Sequence, residues 1–418
     1  MLLSAKVKEI VSGQVFRNMS WLGGAELVNR VFRLGTTLTL PRFFSKNEYG
    51  LMAIVYVALD FAFVFIHSGI TAKIVQTDDE SLQTVCDTSY WINWMACVSA
   101  FCIQCLAAYP ISKFFGSMDL FWPLCFCALT YLLFPLFLIK SALIQRENRM
   151  NEIAIIHAAQ SITASLTIVV LVILGMGIWA IALAMFFSTS IWMVVNFRET
   201  SWQAPKKITF KGWEEVVNFS KNVFGVELLN RLRSNLDYLI IGKFLSVEEL
   251  GLYYFAFSAG SGITMNIVNT FVWALYPHLC SIRVERLRFK LEYFKNLKII
   301  MLSISLAVVL QTSLSHFYVP ILMGKEWIPA IPLLILICIS VIPVSLKLVG
   351  SVLLNADNKP EFSLYFDVVY TIVFALSILS AVQFGIYWVA FAVLMCHLVM
   401  SILFSIFSSR KVFGSAVS

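Results

Sequence analysis

The stretch ELVNRVFRLGTTLTLPRFFSKNEYGLM at residues 26–52 is repeated 201 positions later, without a gap, as ELLNRLRSNLDYLIIGKFLSVEELGLY at residues 227–253. Both copies place charged side chains inside strongly apolar segments, where a membrane would make them costly. A duplicated charged helix is typical of a membrane transporter with two similar halves around a central site. The positions that coincide include Glu26/Glu227, Asn29/Asn230, Arg30/Arg231, Phe43/Phe244, Ser45/Ser246, Glu48/Glu249 and Gly50/Gly251.

The composition indicates that most of the chain lies in a lipid bilayer. Of its 418 residues, 59% are hydrophobic and 13% are charged, whereas a soluble domain averages about 25% charged residues. The mean hydropathy is +0.82, and no soluble core could bury so much apolar surface. Because one spanning helix needs roughly 20 apolar residues, about twelve spans and their short loops take up the whole length. No room is left for a water-soluble catalytic domain.

We therefore predict an all-α integral membrane protein with about twelve transmembrane helices. Lys and Arg are concentrated in one set of loops, 17 against 5 in the opposite set, and such an excess marks the cytoplasmic side. This distribution predicts that both termini and the two longest loops, 198–216 and 279–296, are cytoplasmic. The predicted spans are residues 16–40, 49–72, 84–109, 119–143, 151–173, 176–197, 217–242, 250–277, 297–318, 328–353, 363–383 and 385–408.

The repeat extends beyond its first helix. The sequence SALIQRENR at 141–149 resembles SVLLNADNK at 351–359, and GIWAIALA at 177–184 resembles GIYWVAFA at 385–392. Each half then holds about six spans, and an even number makes both halves enter the membrane from the same face. We predict two parallel six-helix bundles around a central cleft. The predicted domains are residues 1–197 and 217–418, joined by a cytoplasmic linker at 198–216.

The charged residues of the first and seventh spans are the candidate binding residues. Glu26, Arg30 and Arg33 share one helical face because they are spaced by four and three residues. The seventh span predicts two i,i+4 pairs, Glu227–Arg231 and Arg233–Asp237. Internal pairing could neutralise several of these charges, but it leaves Arg33 without a local acid. Since the Arg fork matches phosphate geometry, our hypothesis is that the cleft binds a phosphate or pyrophosphate.

Three acids inside predicted spans suggest a second role. Asp60, Asp237 and Asp367 are candidates for coupling transport to an ion gradient, because intramembrane acids often carry H⁺ or Na⁺. Lys140 is a further intramembrane cation, in the fourth span. We expect no cofactor and no bound metal besides the coupling ion.

The sequence contains none of the motifs that would indicate an enzyme or an ATPase. It has no GxxxxGK[ST] phosphate loop, no HExxH and no GxSxG. The net charge of +7 does not indicate a nucleic-acid partner, since the basic residues lie in loops between apolar spans, where they act as topology signals. We expect membrane lipids, rather than nucleic acid, to be the partners of these loops.

Several segments resemble one known family. They follow one another in the family's order and cover nearly the whole chain, about residues 15–410. The family is the Wzx-like bacterial polysaccharide transporters of the multidrug/oligosaccharidyl-lipid/polysaccharide (MOP) exporter superfamily, especially the colanic-acid and lipopolysaccharide exporter branch. The segments are EYGLMAIVYVALDFAFVFIHSGITAKIVQ (48–76), LIQRENRM (143–150), NLDYLIIGKFLSVEELGLYYFAFS (235–258), VWALYPHLCSI (272–282) and MGKEWIPAIPLL (323–334).

The resemblance implies a fold and a cargo. It implies a V-shaped fold like that of the multidrug MATE transporters, with alternating access in the bacterial inner (cytoplasmic) membrane. It implies a flippase that moves an undecaprenyl-pyrophosphate-linked oligosaccharide to the periplasmic leaflet, where a polysaccharide polymerase and a chain-length regulator would use it. Charged cleft residues handle the cargo in this family, and we assign that role to Glu26, Arg30, Arg33, Arg231, Arg233, Asp237 and Lys140.

Two other functions fit parts of the sequence. A cation-coupled multidrug antiporter of the same fold would need an acidic cavity, and the surplus of Arg in the first and seventh spans argues against it. A membrane-embedded glycan polymerase or acyltransferase would present a large periplasmic loop with acids or His, whereas the periplasmic loops predicted here are about ten residues long. A transporter is therefore the preferred prediction.

Overall fold

The computed structural model describes residues 14–67, 69–199 and 202–414, and within these ranges its regular structure is helical and contains no strand. The predicted all-α fold is confirmed. Fifteen α-helices are described there: α1 Gln14–Phe43, α2 Lys46–His67, α3 Ile70–Gln76, α4 Leu82–Phe114, α5 Phe121–Leu129, α6 Phe134–Arg146, α7 Met150–Ile173, α8 Trp179–Glu199, α9 Trp213–Phe244, α10 Val247–Ala259, α11 Ser261–Ile282, α12 Arg286–Tyr318, α13 Ile331–Ala356, α14 Pro360–Ala381 and α15 Ile386–Phe413.

Nine helical segments of the described chain are long and apolar enough to cross a membrane, so this is a multi-pass membrane protein. The other predicted spans coincide with α1, α9 and the α10–α11 pair; α1 and α9 are highly charged, and the pair is interrupted at Gly260. The total of twelve spans stays a prediction. The nine segments are Lys46–Gln76, Leu82–Phe114, Met118–Arg146, Met150–Ile173, Trp179–Phe197, Arg286–Met323, Lys325–Ala356, Pro360–Phe384 and Ile386–Phe413.

Most of the predicted inter-span loop at 279–296 is helical, and its cytoplasmic location stays a prediction. Helix α11 continues to Ile282 and α12 begins at Arg286. The residues between 286 and 296 are rich in Arg, Lys, Leu and Glu, which favour helix. Ion pairs at helical spacing, such as Lys295–Glu292 at 3.5 Å, support the extra turns.

The chain divides into two compact units. We call residues up to Phe44 together with Ile54–Asn235 the N-terminal unit, and Ser45–Ala53 together with Leu236–Ser418 the C-terminal unit. Two of the boundaries fall inside helices α2 and α9, and the third falls between Phe44 and Ser45, in the short link between α1 and α2. The predicted domains 1–197 and 217–418 were defined by the sequence repeat and not by packing, so that division stays a prediction.

In the N-terminal unit, the described part of the predicted linker is held against α4. The indole nitrogen of Trp91 donates a hydrogen bond to the backbone oxygen of Lys207 at 3.2 Å. The hydroxyl of Thr88 donates to the backbone oxygen of Lys211 at 2.8 Å. Val216, at the start of α9, is fully buried in a cluster with side chains of α3, α4 and α6. This stretch is therefore part of a packed unit.

The C-terminal unit is organised around α13, which packs against α10, α11, α12, α14 and α15. Apolar residues occupy nearly all of α13, as expected for a helix with neighbours on every side. At one end of the unit the fully buried Trp327 stacks on Phe255, with ring centroids 4.1 Å apart. Tyr49 at the start of α2 meets the same indole edge-on, at 4.7 Å.

The sequence repeat is reproduced in local structure. Ser45 and Glu48 form a reciprocal cap at the start of α2, with the Ser45 backbone nitrogen 2.8 Å from Glu48 Oε2 and the Glu48 backbone nitrogen 3.3 Å from Ser45 Oγ. Ser246 and Glu249 form the same capping box at the start of α10. Each cap satisfies backbone N–H groups that the helix leaves unpaired. The two copies therefore begin their second helices in the same way.

The second pair of matched segments also adopts one conformation. Asn148 and Asn358 both have the left-handed backbone conformation, with φ of 56° and 58°. The acid before each Asn pairs with the base after it: Arg149 lies 3.0 Å from Glu147, and Lys359 lies 2.8 Å from Asp357. These turns join α6 to α7 and α13 to α14.

The matched glycines Gly50 and Gly251 lie where α2 and α10 come into backbone contact. A Cβ atom added at Gly50 would lie 2.0 Å from the backbone oxygen of Val247, and one at Gly251 would lie 1.8 Å from that of Lys46. Real Cβ atoms do not approach so closely, so only glycine permits this crossing. Small residues have the same role in membrane helix packing generally.

We predict that Gly50→Ala and Gly251→Ala each destabilise the protein, because a backbone carbonyl cannot move aside as a flexible side chain can. Overpacking of this kind costs about 1–3 kcal/mol. The measurement is thermal unfolding of the purified protein in detergent. Gly225→Ala in α9 is the control, since nothing lies within 4 Å of its added Cβ. Equal melting temperatures for all three variants would contradict the prediction.

Candidate functional site

The charged face of α1 is organised by a pair of residues within the helix. Arg30 Nε lies 3.1 Å from Glu26 Oε1, as the spacing of four residues predicts. The Asn29 amide donates to the second Glu26 oxygen at 3.3 Å, and the hydroxyl of Ser161 on α7 donates to Asn29 Oδ1. The contact between α1 and α7 therefore fixes Asn29, which in turn orients the carboxylate that Arg30 binds.

Arg33 lies one turn beyond this pair and is exposed. Within the described residues, its guanidinium forms no ion pair and no side-chain hydrogen bond. The backbone oxygen of Arg33 accepts a hydrogen bond from the Thr37 hydroxyl at 2.8 Å. The predicted surplus of positive charge on α1 is thus present in the structure, where five N–H donors are available to an anion.

A second charged group surrounds Arg231 on α9, also in the N-terminal unit. Its Nε lies 3.0 Å from Glu227 Oε1, as predicted, and its Nη1 lies 3.3 Å from Asp60 Oδ1 on α2. The Asn235 amide donates to the other Asp60 oxygen at 3.3 Å. The side chains of Arg231, Asp60 and Glu227 remain 39%, 38% and 41% exposed. One cation is thus held between two acids and is still accessible.

The predicted pair Arg233–Asp237 is not formed. Arg233 donates from Nη2 to Asn230 Oδ1 at 3.3 Å. Asp237 is only 6% exposed; it accepts a hydrogen bond from the Tyr253 hydroxyl at 2.9 Å and another from the Tyr238 backbone nitrogen at 3.0 Å. The tertiary contact with α10 therefore takes the place of the i,i+4 pair. Among the described residues, no Lys or Arg forms an ion pair with Asp237.

Two more predicted residues lie elsewhere. Lys140 on α6 is 8% exposed, and its ammonium lies 4.1 Å from the centre of the Phe197 ring, a cation–π contact. In the C-terminal unit, Asp367 on α14 forms an ion pair with Lys347 on α13. The structure therefore brings together Asp60 with Arg231, and Glu26 with Arg30. It gives Lys140, Asp237 and Asp367 separate surroundings.

The sequence analysis missed four polar partners: Ser161, Asn235, Tyr253 and His397. Asn235 and Tyr253 are inside the duplicated stretch, but they do not coincide between the copies and so gave no signal. His397 lies in the last predicted span, and a polar ring in such an apolar helix was a detectable signal. Ser161 could not be distinguished from other small helical residues.

The described residues contain no group of three or more His, Cys, Asp or Glu placed to hold a metal ion. The exposed donors of the site are guanidinium groups, and its acids are mostly taken by those groups. Such an arrangement can bind an anion through charge-assisted hydrogen bonds, and it lacks a paired nucleophile and base that would perform covalent chemistry.

Comparison with known proteins identifies the family. The model of a family described as "Polysaccharide biosynthesis protein" matches residues 39–332, more than half of the chain. The chain therefore belongs to that family, whose members are transporters, and the predicted family resemblance is confirmed. The prediction that the chain is a transporter rather than an enzyme is confirmed as well.

Curated relatives match over most of their length. The chain is 22% identical to the Teichuronic acid biosynthesis protein TuaB of Bacillus subtilis, over 90% of this chain and 78% of the relative. It is 22% identical to the Lipopolysaccharide biosynthesis protein WzxC of Escherichia coli, over 90% of this chain and 77% of the relative.

Solved structures confirm the MATE-like fold class. The Lipid II flippase MurJ in an inward closed conformation matches with a TM-score of 0.76 at 12% identity, covering 94% of this chain and 88% of that one. An inward-facing multidrug resistance MATE transporter of the MOP superfamily matches with a TM-score of 0.73 at 12% identity, covering 93% of this chain and 96% of that one. At this identity the likeness concerns the fold alone.

We predict that Tyr253→Phe lowers the stability of the protein. It removes a hydroxyl donor from the buried Asp237 carboxylate, and an unsatisfied buried polar group costs about 1–3 kcal/mol. Thermal unfolding in detergent measures the effect. Tyr365→Phe serves as the control, because Tyr365 is 70% exposed and water can replace its hydroxyl contact. The prediction is wrong if both variants unfold at the same temperature as the unchanged protein.

Proposed function

We propose that this member of the polysaccharide biosynthesis protein family is a flippase. It moves a lipid-linked oligosaccharide from the cytoplasmic to the periplasmic leaflet of the bacterial inner membrane, with undecaprenyl pyrophosphate as the carrier. The relatives named for teichuronic acid and lipopolysaccharide biosynthesis support a glycan cargo. The fold that the chain shares with a lipid II flippase supports movement of a lipid-linked molecule. The Lys and Arg distribution supports cytoplasmic termini.

The observation that carries the proposal is the unpaired cation on α1. Arg33 is exposed on α1, which the sequence predicts to be a membrane span, and no acid of the described chain neutralises it. A charge at the centre of a bilayer costs about 2.5–3.5 kcal/mol on insertion scales. A transported pyrophosphate would offset that cost, since its oxygens accept the paired N–H donors of Arg. Arg30, three residues earlier on α1, also remains partly exposed. So does Arg231, which matches Arg30 in the second copy of the repeat.

The competing function is a cation-coupled multidrug antiporter, because the same fold occurs in a multidrug transporter. A cationic drug would require exposed acids without basic partners. On α1 there are four Arg for one Glu. The two acids beside Arg231, Glu227 on α9 and Asp60 on α2, are both bound to it. The charge balance of α1 therefore supports an anionic cargo. As part of the flippase proposal, a polymerase and a chain-length regulator use the cargo on the periplasmic side.

Ion coupling is a second part of the proposal, and the contacts of the three predicted acids differ. Asp60 is bound to Arg231 and Asp367 to Lys347. Asp237 instead accepts hydrogen bonds from a hydroxyl and a backbone nitrogen. It can take up H⁺ or Na⁺ without first displacing a Lys or Arg side chain. Asp237 is therefore our proposed coupling residue, and Asp60 is proposed to position Arg231.

We expect cells that lack this protein to retain the lipid-linked glycan in the cytoplasmic leaflet. A membrane-impermeant glycan probe applied to spheroplasts measures the outer-leaflet fraction. Arg33→Ala should restore about tenfold less than the unchanged protein, because loss of a hydrogen bond to a charged group costs about 1.5–3 kcal/mol. Arg42→Ala, near the end of the same helix, is the matched control and should restore fully at equal expression. The proposal fails if the glycan reaches the outer leaflet equally without the protein, in a strain with no second flippase.

We expect Asp237→Asn to uncouple transport from the ion gradient. The amide has nearly the shape of the carboxylate but cannot take up a proton or hold a cation as strongly. Transport of the lipid-linked glycan in proteoliposomes, with an imposed pH or Na⁺ gradient, measures the coupling. Asp119→Asn is the control, because Asp119 is exposed at an end of the span Met118–Arg146. Full gradient dependence in the Asp237→Asn protein would rule out this residue as the coupling site.

A further inference from the structure

A group of four ionisable side chains lies between three helices of the C-terminal unit. Lys347 belongs to α13, Asp367 and Tyr370 to α14, and His397 to α15. Lys347 and Tyr370 are only 7% and 6% exposed. All three helices lie within segments long and apolar enough to cross a membrane. Except for Asp367, none of these residues belongs to the sites proposed above.

The four side chains are in continuous contact. The ammonium of Lys347 forms an ion pair with Asp367 and lies 5.3 Å from the centre of the Tyr370 ring. The hydroxyl of Tyr370 is hydrogen-bonded to Nδ1 of His397. On its other side, the imidazole stacks on Phe374, with an interplanar angle of 13° and centroids 5.3 Å apart. One cation, one anion and two neutral groups thus form a single polar path across α13, α14 and α15.

The fold itself does not require this path. In the first half of the sequence, the positions that match Lys347 and Asp367 at the offset of 210 are Phe137 and His157, and the position that matches His397 at the offset of 208 is Thr189. The ring of Phe137 packs on aromatic neighbours instead. The corresponding helices of the N-terminal unit therefore pack without a Lys–Asp pair, and the charged group is a property of the second copy alone.

We propose that Lys347, Asp367, Tyr370 and His397 form a proton-binding site. Imidazole is the side chain that gains and loses a proton most readily near neutral pH. Stacking on Phe374 and the bond to Tyr370 hold the His397 ring in one orientation, so an added proton has a defined position. The carboxylate of Asp367 neutralises the charge of Lys347. Without that carboxylate, the Lys347 ammonium and a protonated His397 would be two positive charges close together.

The proton movement balances within the four side chains. A proton from water binds Nδ1 of His397. The imidazolium then donates a hydrogen bond to the Tyr370 oxygen, whereas before protonation the Tyr370 hydroxyl donated to Nδ1. The Tyr370 hydroxyl hydrogen turns towards Asp367, which lies three residues earlier on the same face of α14. No covalent bond between heavy atoms forms or breaks, and the charge of the group rises from zero to +1. Release of the proton reverses each step.

The site is separate in residues from Asp237, so it adds a second place where pH acts on the C-terminal unit. Its influence on transport rests on the proposed function, whereas proton binding itself does not. The groups that face His397 are Tyr370 and Phe374 from α14 and Lys347 from α13. We infer that the packing of these three helices responds to pH.

Nitrogen NMR of the full chain, labelled with ¹⁵N-histidine in lipid nanodiscs, tests the proposal directly. The chain contains five His, and His397→Gln identifies the relevant signal by its loss. The expected result is a titration of the His397 signal as the pH is lowered from about 8 to about 4. In the Asp367→Asn protein the midpoint should move to lower pH by about one unit, because the Lys347 charge is no longer balanced. His316→Gln, which removes an exposed His on α12, should leave the midpoint unchanged.

Tyr370→Phe provides a second variant if Asp367→Asn does not fold, since it keeps the ion pair and removes only the hydroxyl. It should also shift the His397 midpoint. A His397 signal that stays constant over this pH range, or a midpoint that neither variant moves, would overturn the proposal. A normal titration supports the proton site even in a protein that fails to move glycan, and that second failure would count against the proposed function instead.

Discussion

The cost of a charge in an apolar membrane segment governs this structure. A Lys, Arg, Asp or Glu inside a span must be paired, hydrogen-bonded or directed at water or a polar ligand. The chain uses each solution: Arg30 binds a neighbour on its own helix, Arg231 binds acids on two helices, and Lys140 lies over an aromatic ring. Arg33 is exposed, so its charge is open to water or a polar ligand. Its exposed guanidinium is the group that we propose binds the negative charge of the cargo.

The two copies of the repeat share a frame and differ in chemistry. Their capping boxes, left-handed Asn turns and crossing glycines are the same, and these features set the ends and contacts of helices. The ionisable residues are mostly different: Asp237 matches Thr36, whose hydroxyl merely bonds a backbone oxygen of its own helix at 2.9 Å, and Arg33 matches Ser234. Backbone geometry and the Glu–Arg pair are therefore duplicated, while Arg33 and Asp237 are specific to one copy.

Helix α9 carries both a proposed cargo-binding residue, Arg231, and the proposed coupling residue, Asp237. Arg231 and Asn235 belong to the N-terminal unit, and Asp237 belongs to the C-terminal unit, only two residues further along the same helix. A helix transmits a change at one turn to the next because its backbone hydrogen bonds keep the rise and rotation fixed. The proposed cargo contact and the proposed coupling residue thus lie on one continuous element. Any loop between them would weaken that connection.

The sequence by itself determined what depends on local or periodic patterns. Apolar runs predicted a helical membrane protein, the gapless repeat predicted two similar halves, and spacings of four predicted the pairs at Arg30 and Arg231. Only the tertiary structure decided which side chains meet across helices. The rotation of each helix about its axis is set by packing on its neighbours, and no pattern within one helix records it. For this reason Asp237 bonds to Tyr253 rather than to Arg233, Asp60 meets Arg231 from 171 positions away, and His397 bonds to Tyr370.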